Sequence, residues 1–173
     1  SLLECMEERQ CSVDGVTYPM AQPFLVVATQ NPVEIQGTFP LPEAQLDRFF
    51  MKLSLGYPDA QQERAMLTAY QLQSPLNSLA PVCAEQDILE VQKQVAQVRV
   101  SQPVAAYIVS LAGATRRHEK IRLGISPRGV IALMRASQAK AAMQGRDYVL
   151  PDDVSKECLS EILVQTPAPV EQQ

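Results

Sequence analysis

The chain has 173 residues, of which 46% are apolar and 20% charged, and it carries a formal net charge of −4. This composition excludes disorder throughout the chain and provides core residues for one domain or two small ones. The sequence has no apolar run of 18 residues that could span a membrane, and its acidic balance gives no general attraction to nucleic acid.

The first 57 residues predict an α/β arrangement. Residues 2–9 have helical spacing, and an Asp14-Gly15 pair between two β-prone runs predicts a hairpin at residues 10–20. The continuous apolar run at 24–28 predicts a central parallel strand, and residues 49–55 predict a second strand after a short helix at 43–47.

After Pro58 the β-character ends, and the pattern predicts an all-α unit. Apolar residues recur at helical spacing in five segments: 59–71, 85–99, 103–117, 127–144 and 151–163. Ser126 is predicted to cap the fourth of these, with Pro127 at its first position and Gly145 just after its end. Residues 72–81 predict a loop, and residues 166–173 a frayed tail.

The cysteines (Cys5, Cys11, Cys83 and Cys158) are far apart, and the sequence has a single histidine. This spacing supports neither a zinc site nor a disulfide framework. Reduced thiols in a cytoplasmic protein are therefore the favoured interpretation.

Three polar residues stand where an anion could bind. Asn31 directly follows the predicted buried strand, and an amide there can contact a phosphate oxygen and a water, or simply satisfy a turn. Arg48 lies between two predicted elements and could bind phosphate or pair with Asp47 or Glu43.

Arg128 is the third of these residues and lies in the first turn of the predicted helix at 127–144. The helix dipole disfavours a cation there by roughly 0.3–1 kcal/mol. A bound phosphate would compensate, since free N–H groups at the same helix end also favour an anion. The alternatives are exposure to solvent and an ion pair with Asp152 or Asp153.

Other patterns in the sequence give weaker indications of a functional site. The basic run at 116–122 has no interleaved aromatic residues and indicates a solvated loop more than a nucleic-acid contact. The sequence contains no G-x-x-x-x-G-K-[ST] motif, which would hold the phosphates of a nucleotide, and no strand that ends in the paired acids of a Walker B motif.

Residues 2–10, 13–16, 23–32 and 37–49, with Gly56-Tyr57-Pro58, closely resemble the MoxR family of AAA+ ATPases. A second block, residues 115–116, 123–128 and 145–154, resembles the helical lid of the same family. The resemblance implies that residues 1–57 are the C-terminal part of a parallel-sheet P-loop NTPase core. It also implies that residues 58–165 form the lid, and that Walker A and Walker B lie upstream of this chain.

By position in that resemblance, Asn31 matches sensor 1, Arg48 the arginine finger and Arg128 sensor 2. Asn31 and Arg48 are thereby expected to be catalytic. Asn31, Arg128 and Tyr57 are expected to contact the nucleotide, Tyr57 at the adenine. The hairpin matches the pre-sensor 1 hairpin, which is expected to point toward the centre of a ring and engage clients. The expected cofactors are ATP and Mg²⁺, with the Mg²⁺ ligands upstream of this chain.

The resemblance therefore implies an ATPase that forms a homo-oligomeric ring, expected to be a hexamer. This ring would remodel or assemble client proteins, with a von Willebrand A-domain protein as a further partner and no membrane association. The present chain alone is expected to be inactive. Two alternatives stay open: a non-catalytic helical interaction module, and a DNA-directed AAA+ motor, which the acidic charge disfavours.

Overall fold

The structure is a computed structural model that describes residues 2–29, 42–71 and 74–154. It begins with helix α1 (Leu2–Glu8), followed by an antiparallel hairpin of β1 (Gln10–Val13) and β2 (Val16–Pro19). Asp14 and Gly15 form the turn with φ values of 51° and 79°. Two consecutive positive φ angles define the turn type that matches the twist of a hairpin. The predicted helix and hairpin are confirmed.

The two further strands predicted in this region are absent from the described part of the chain. Residues 24–28 and 49–55 are not paired in a sheet among the described residues, because the described sheet consists of β1 and β2 alone. Leu25 is 82% exposed, so the segment at 24–28 is not the buried central strand that the sequence predicts, and Leu55 in the second segment is 97% exposed. An apolar run forms a strand only when a second strand satisfies its backbone groups.

Two helices connect the hairpin region to the C-terminal unit: α2 (Glu43–Leu46) and α3 (Ala60–Tyr70). Asp59 caps α3, because its Oδ1 accepts from the backbone N–H groups of Gln61 and Gln62, each at 2.8 Å. No residue of α3 is buried. This helix is therefore stabilised by its cap and its local backbone bonds more than by packing.

The C-terminal unit consists of α4 (Glu85–Gln97), α5 (Gln102–Arg117) and α6 (Pro127–Met143). All three were predicted within a few residues of their observed ends. Short 3₁₀ turns occupy Pro75–Ser78, within the predicted loop, and Pro151–Val154. The rest of the helix predicted at 151–163 lies outside the described residues, as does the tail.

The hydrophobic core lies in this unit. Its buried members come from α5, α6 and the segments that flank the helices: Val98, Val104, Ile108, Leu133, Ala141, Val149 and Val154. An isolated parallel bridge pairs Arg99 with Tyr148 beside this core. The N–H of Arg99 donates to Asp147 O and the N–H of Val149 donates to Arg99 O, both at 2.9 Å. The packed core fixes the direction of α6 and therefore the position of its N-terminus.

A buried carboxylate connects the end of α6 to the last 3₁₀ turn. Asp153 accepts from the Arg146 guanidinium at 2.6 and 2.8 Å and from the N–H of Leu150 at 2.7 Å. The hydrogen bonds from Arg146, together with that from Leu150, hold the pKa of Asp153 below its usual value, although burial opposes this.

In the described ranges, no helix is long and apolar enough to cross a bilayer.

Candidate anion-binding site at Arg48 and Arg128

The N-terminus of α6 is shaped by a serine cap. Ser126 has extended backbone, and its hydroxyl accepts from the N–H of Gly129 at 3.0 Å, as the sequence predicts. Pro127 occupies the first helical position, where its missing N–H costs nothing. Arg128 is consequently held in the first turn, at the positive end of the helix dipole.

Asp47 connects this helix end to the segment after α2. Its Oδ1 accepts from the Ser126 hydroxyl at 2.8 Å, and its Oδ2 lies 3.8 Å from Nη1 of Arg128. A carboxylate beside the N-terminus of a helix is favourable, and this one also offsets part of the charge of Arg128. The contact joins residues that are 79 positions apart in the chain.

Glu7 of α1 contacts both predicted phosphate-binding arginines. One oxygen of its carboxylate pairs with Nη1 of Arg48 and the other with Nη2 of Arg128. The side chains of Glu7, Arg48 and Arg128 are 38%, 23% and 48% exposed, so the cluster is partly open to solvent. The two guanidiniums therefore converge on one small anionic group.

A cavity of about 230 Å³ lies beside this cluster, between the segment that follows α2, the loop before α6 and the first turns of α6. Phe49, Phe50 and Ile131 give it apolar walls, while Arg48 and Arg128 contribute charge. Nε of Arg48 is buried without a hydrogen-bond partner among the described residues. A buried donor of this kind is costly unless a further acceptor reaches it.

These features fit a phosphate group. A phosphate carries more acceptor oxygens and more charge than one carboxylate, and planar guanidiniums bind it through paired hydrogen bonds. The described residues contain no group of three or more acidic, histidine or cysteine side chains that could hold a metal ion.

The predicted site residues have different outcomes. Arg48 and Arg128 are brought together, because both pair with Glu7. The predicted alternative pair of Arg128 with Asp153 is wrong, since Asp153 pairs with Arg146. Tyr57 is 97% exposed, so its predicted adenine contact stays a prediction. Asn31 lies outside the described residues.

Sequence reasoning missed three residues of the site. The sequence places Glu7 among several polar acids on a helix. Only its ion pairs with Arg48 and Arg128 distinguish it from Glu8. Asp47 is expected to face Arg48, whereas it faces α6. Arg135 lies two turns after Arg128 and lines the same cavity. Its seven-residue spacing from Arg128 could have indicated this, because residues seven apart share a helix face.

Comparison with known proteins defines the class first. Residues 1–51 match the ATPase family associated with various cellular activities (AAA), and residues 113–159 match the AAA lid domain. A crystal structure of a candidate ATPase from Cytophaga hutchinsonii superposes with a TM-score of 0.85 at 40% identity. That match covers 95% of this chain and 52% of the other. The chain thus combines elements of an AAA ATPase core with an AAA lid, which confirms the predicted fold class.

Curated relatives narrow the assignment. The chain is 50% identical over 154 residues to the uncharacterized protein YeaC of Bacillus subtilis and 39% identical over 163 residues to the chaperone MoxR1 of Mycobacterium tuberculosis. It is 32% identical over 175 residues to the protein MoxR of Paracoccus denitrificans. These matches cover 88–89% of this chain and 43–50% of the relatives, so the chain spans about half their length. The chain belongs to the MoxR family of AAA+ ATPases.

Proposed function

We propose that this chain supplies two phosphate-binding arginines to an ATPase that binds and hydrolyses ATP to remodel client proteins. The observation that carries the proposal is the convergence of Arg48 and Arg128 on one carboxylate. Phosphoryl transfer depends mainly on positioning and on neutralising the charge that develops in the transition state. Two guanidiniums that reach one anion can perform this neutralisation together.

The same geometry bears on which subunit each arginine serves. If Arg48 acts as an arginine finger, it contacts ATP held by a neighbouring subunit. Arg128 reaches the same carboxylate as Arg48, so the two guanidiniums lie close enough to bind one phosphate group. Two arginines that bind one phosphate group act on the same nucleotide. We therefore assign both arginines to the neighbour's ATP, in a homo-oligomeric ring of the hexameric kind.

The remaining roles rest on the family resemblance. In this proposal Asn31 orients the attacking water, Tyr57 contacts the adenine and the hairpin engages clients. Mg²⁺ and the Walker motifs come from residues outside this chain, so the chain alone does not hydrolyse ATP. A von Willebrand A-domain partner and a cytoplasmic setting complete the proposal. Cys5, Cys11 and Cys83 are free thiols, which is the usual state of cysteines in the reducing cytoplasm.

The test is ATP turnover by a full-length protein that contains this chain. Arg48→Ala should lower kcat by about 10³-fold or more, since a finger supplied in trans contributes roughly 10³–10⁵. Arg99→Ala is the matched control, because that arginine forms an exposed ion pair with Asp147 in the lid. Full turnover by the Arg48→Ala protein would refute the role proposed for Arg48, whereas a full-length protein that does not bind ATP would favour a non-catalytic interaction module.

A further inference from the structure

Glu7 contacts both arginines, although the proposed function gives it no catalytic role. The contacts of its carboxylate to described residues are those with Arg48 and Arg128. Asp47, in contrast, is also held by the Ser126 hydroxyl at 2.8 Å. Of the two acids in the cluster, Glu7 is therefore the one that can leave without breaking a hydrogen bond to the cap residue Ser126.

We propose that Glu7 is a displaceable counter-ion, which occupies the arginine pair until a phosphate group of the nucleotide takes its place. The inference rests on the proposed function, since it concerns the same two arginines. The carboxylate of Glu7 leaves Nε of Arg48 without a partner among the described residues. A phosphate carries more charge than this carboxylate and adds a further acceptor oxygen.

The exposure of the cluster makes this exchange possible. Ion pairs that are partly open to water contribute little net free energy, because the solvent screens the charges and hydrates the released groups. Glu7 therefore competes with an incoming phosphate without preventing its binding. While no phosphate is bound, it also offsets the unfavourable position of Arg128 at the positive end of α6.

The position of Glu7 is fixed by α1 and by the hairpin that follows it. Ser12 of β1 donates to Oε1 of Glu4 at 2.5 Å, which binds α1 to the hairpin. The N–H of Met20 donates to Arg9 O at 2.8 Å and closes the base of the hairpin, directly after α1. Glu7 lies in the last turn of α1, directly before the hairpin begins. Its carboxylate is thus placed at the arginines by the helix and leaves them by rotation of its side chain.

The experiment measures binding of inorganic pyrophosphate to the 173-residue chain by isothermal titration calorimetry. Glu7→Gln should bind pyrophosphate about three- to tenfold more tightly than the unsubstituted chain, as expected for removal of a competing surface ion pair. Glu8→Gln is the matched control: Glu8 is the next residue on α1, and its carboxylate accepts from Gln10. It should leave the affinity unchanged.

A purely structural role for Glu7 predicts the opposite sign, because loosening the cluster would weaken pyrophosphate binding. Equal or weaker binding by Glu7→Gln, or no binding by either protein, overturns the inference. If Glu7→Gln does not fold, Glu7→Asp replaces it: the shorter side chain keeps the charge but cannot reach both guanidiniums, so binding should again tighten.

The two proposals fail in different ways. If Arg48→Ala and Arg128→Ala remove pyrophosphate binding while Glu7→Gln does not tighten it, the counter-ion inference fails and the proposed function stands. If neither arginine substitution affects binding in the Glu7→Gln background, the arginines do not bind phosphate. The proposed function then fails as well.

Discussion

Replacing Ser126 by alanine tests whether the cap of α6 organises the site. The hydroxyl makes two bonds: it accepts from the N–H of Gly129 at 3.0 Å and donates to Asp47 Oδ1 at 2.8 Å. Loss of a serine cap costs about 1 kcal/mol. Loss of a half-buried hydrogen bond to a carboxylate costs about 1 kcal/mol more. Ser126→Ala should therefore lower the free energy of unfolding by about 2 kcal/mol.

The assay is urea unfolding followed by far-UV circular dichroism, and α5 provides the control. Ser101 is the N-cap residue of α5, but its side chain makes no capping hydrogen bond. Ser101→Ala should therefore change the free energy of unfolding by less than about 0.5 kcal/mol. Equal losses for the two variants, or an unchanged stability for Ser126→Ala, would refute the reasoning that the Ser126 hydroxyl holds this junction together.

Three further predictions concern the fold around the site. Gly124→Ala should destabilise the chain by about 1–3 kcal/mol in urea unfolding, because the added Cβ would meet Cα of Arg116 at 2.5 Å. Gly113→Ala is its control and should be neutral or stabilising, since the Cβ there meets only the flexible end of Arg117. Gly15→Val should speed hydrogen exchange of the hairpin amides about tenfold, because φ is 79° at that position; unchanged exchange would contradict the turn geometry. Because the pKa of Asp153 is lowered in the fold, its contribution to stability is present above the ordinary carboxyl pKa of about 3.9 and is lost as the pH falls below it. Asp153→Asn should therefore show a weaker dependence of unfolding free energy on pH in that acidic range, and an identical dependence would contradict the assignment.

The local elements could be predicted because their causes lie within a few residues. The Asp14-Gly15 turn, the Ser126 cap and the proline at 127 each determine backbone geometry directly, and the structure has all three. The segments at 24–28 and 49–55 could not be predicted in the same way. Whether an apolar run becomes a strand depends on a partner strand, and the described residues provide none.

The site could be predicted only in part. Arg48 and Arg128 were identified from their positions at element junctions and from the family resemblance. Glu7, which joins them, is 121 residues from Arg128 in the chain. No local pattern encodes an ion pair over such a separation, because it arises only when α1, the segment after α2 and α6 pack together.

The most direct test of the central claim uses mixed rings of the full-length protein. Subunits with Arg48→Ala or Arg128→Ala are combined with subunits whose Walker A lysine is replaced, so that neither kind hydrolyses ATP alone. If both arginines act on the neighbour's nucleotide, each mixture should recover ATPase activity, because the Walker A variant supplies the missing guanidinium across the interface. Recovery with Arg48→Ala but not with Arg128→Ala would contradict the claim that the two arginines serve one phosphate group.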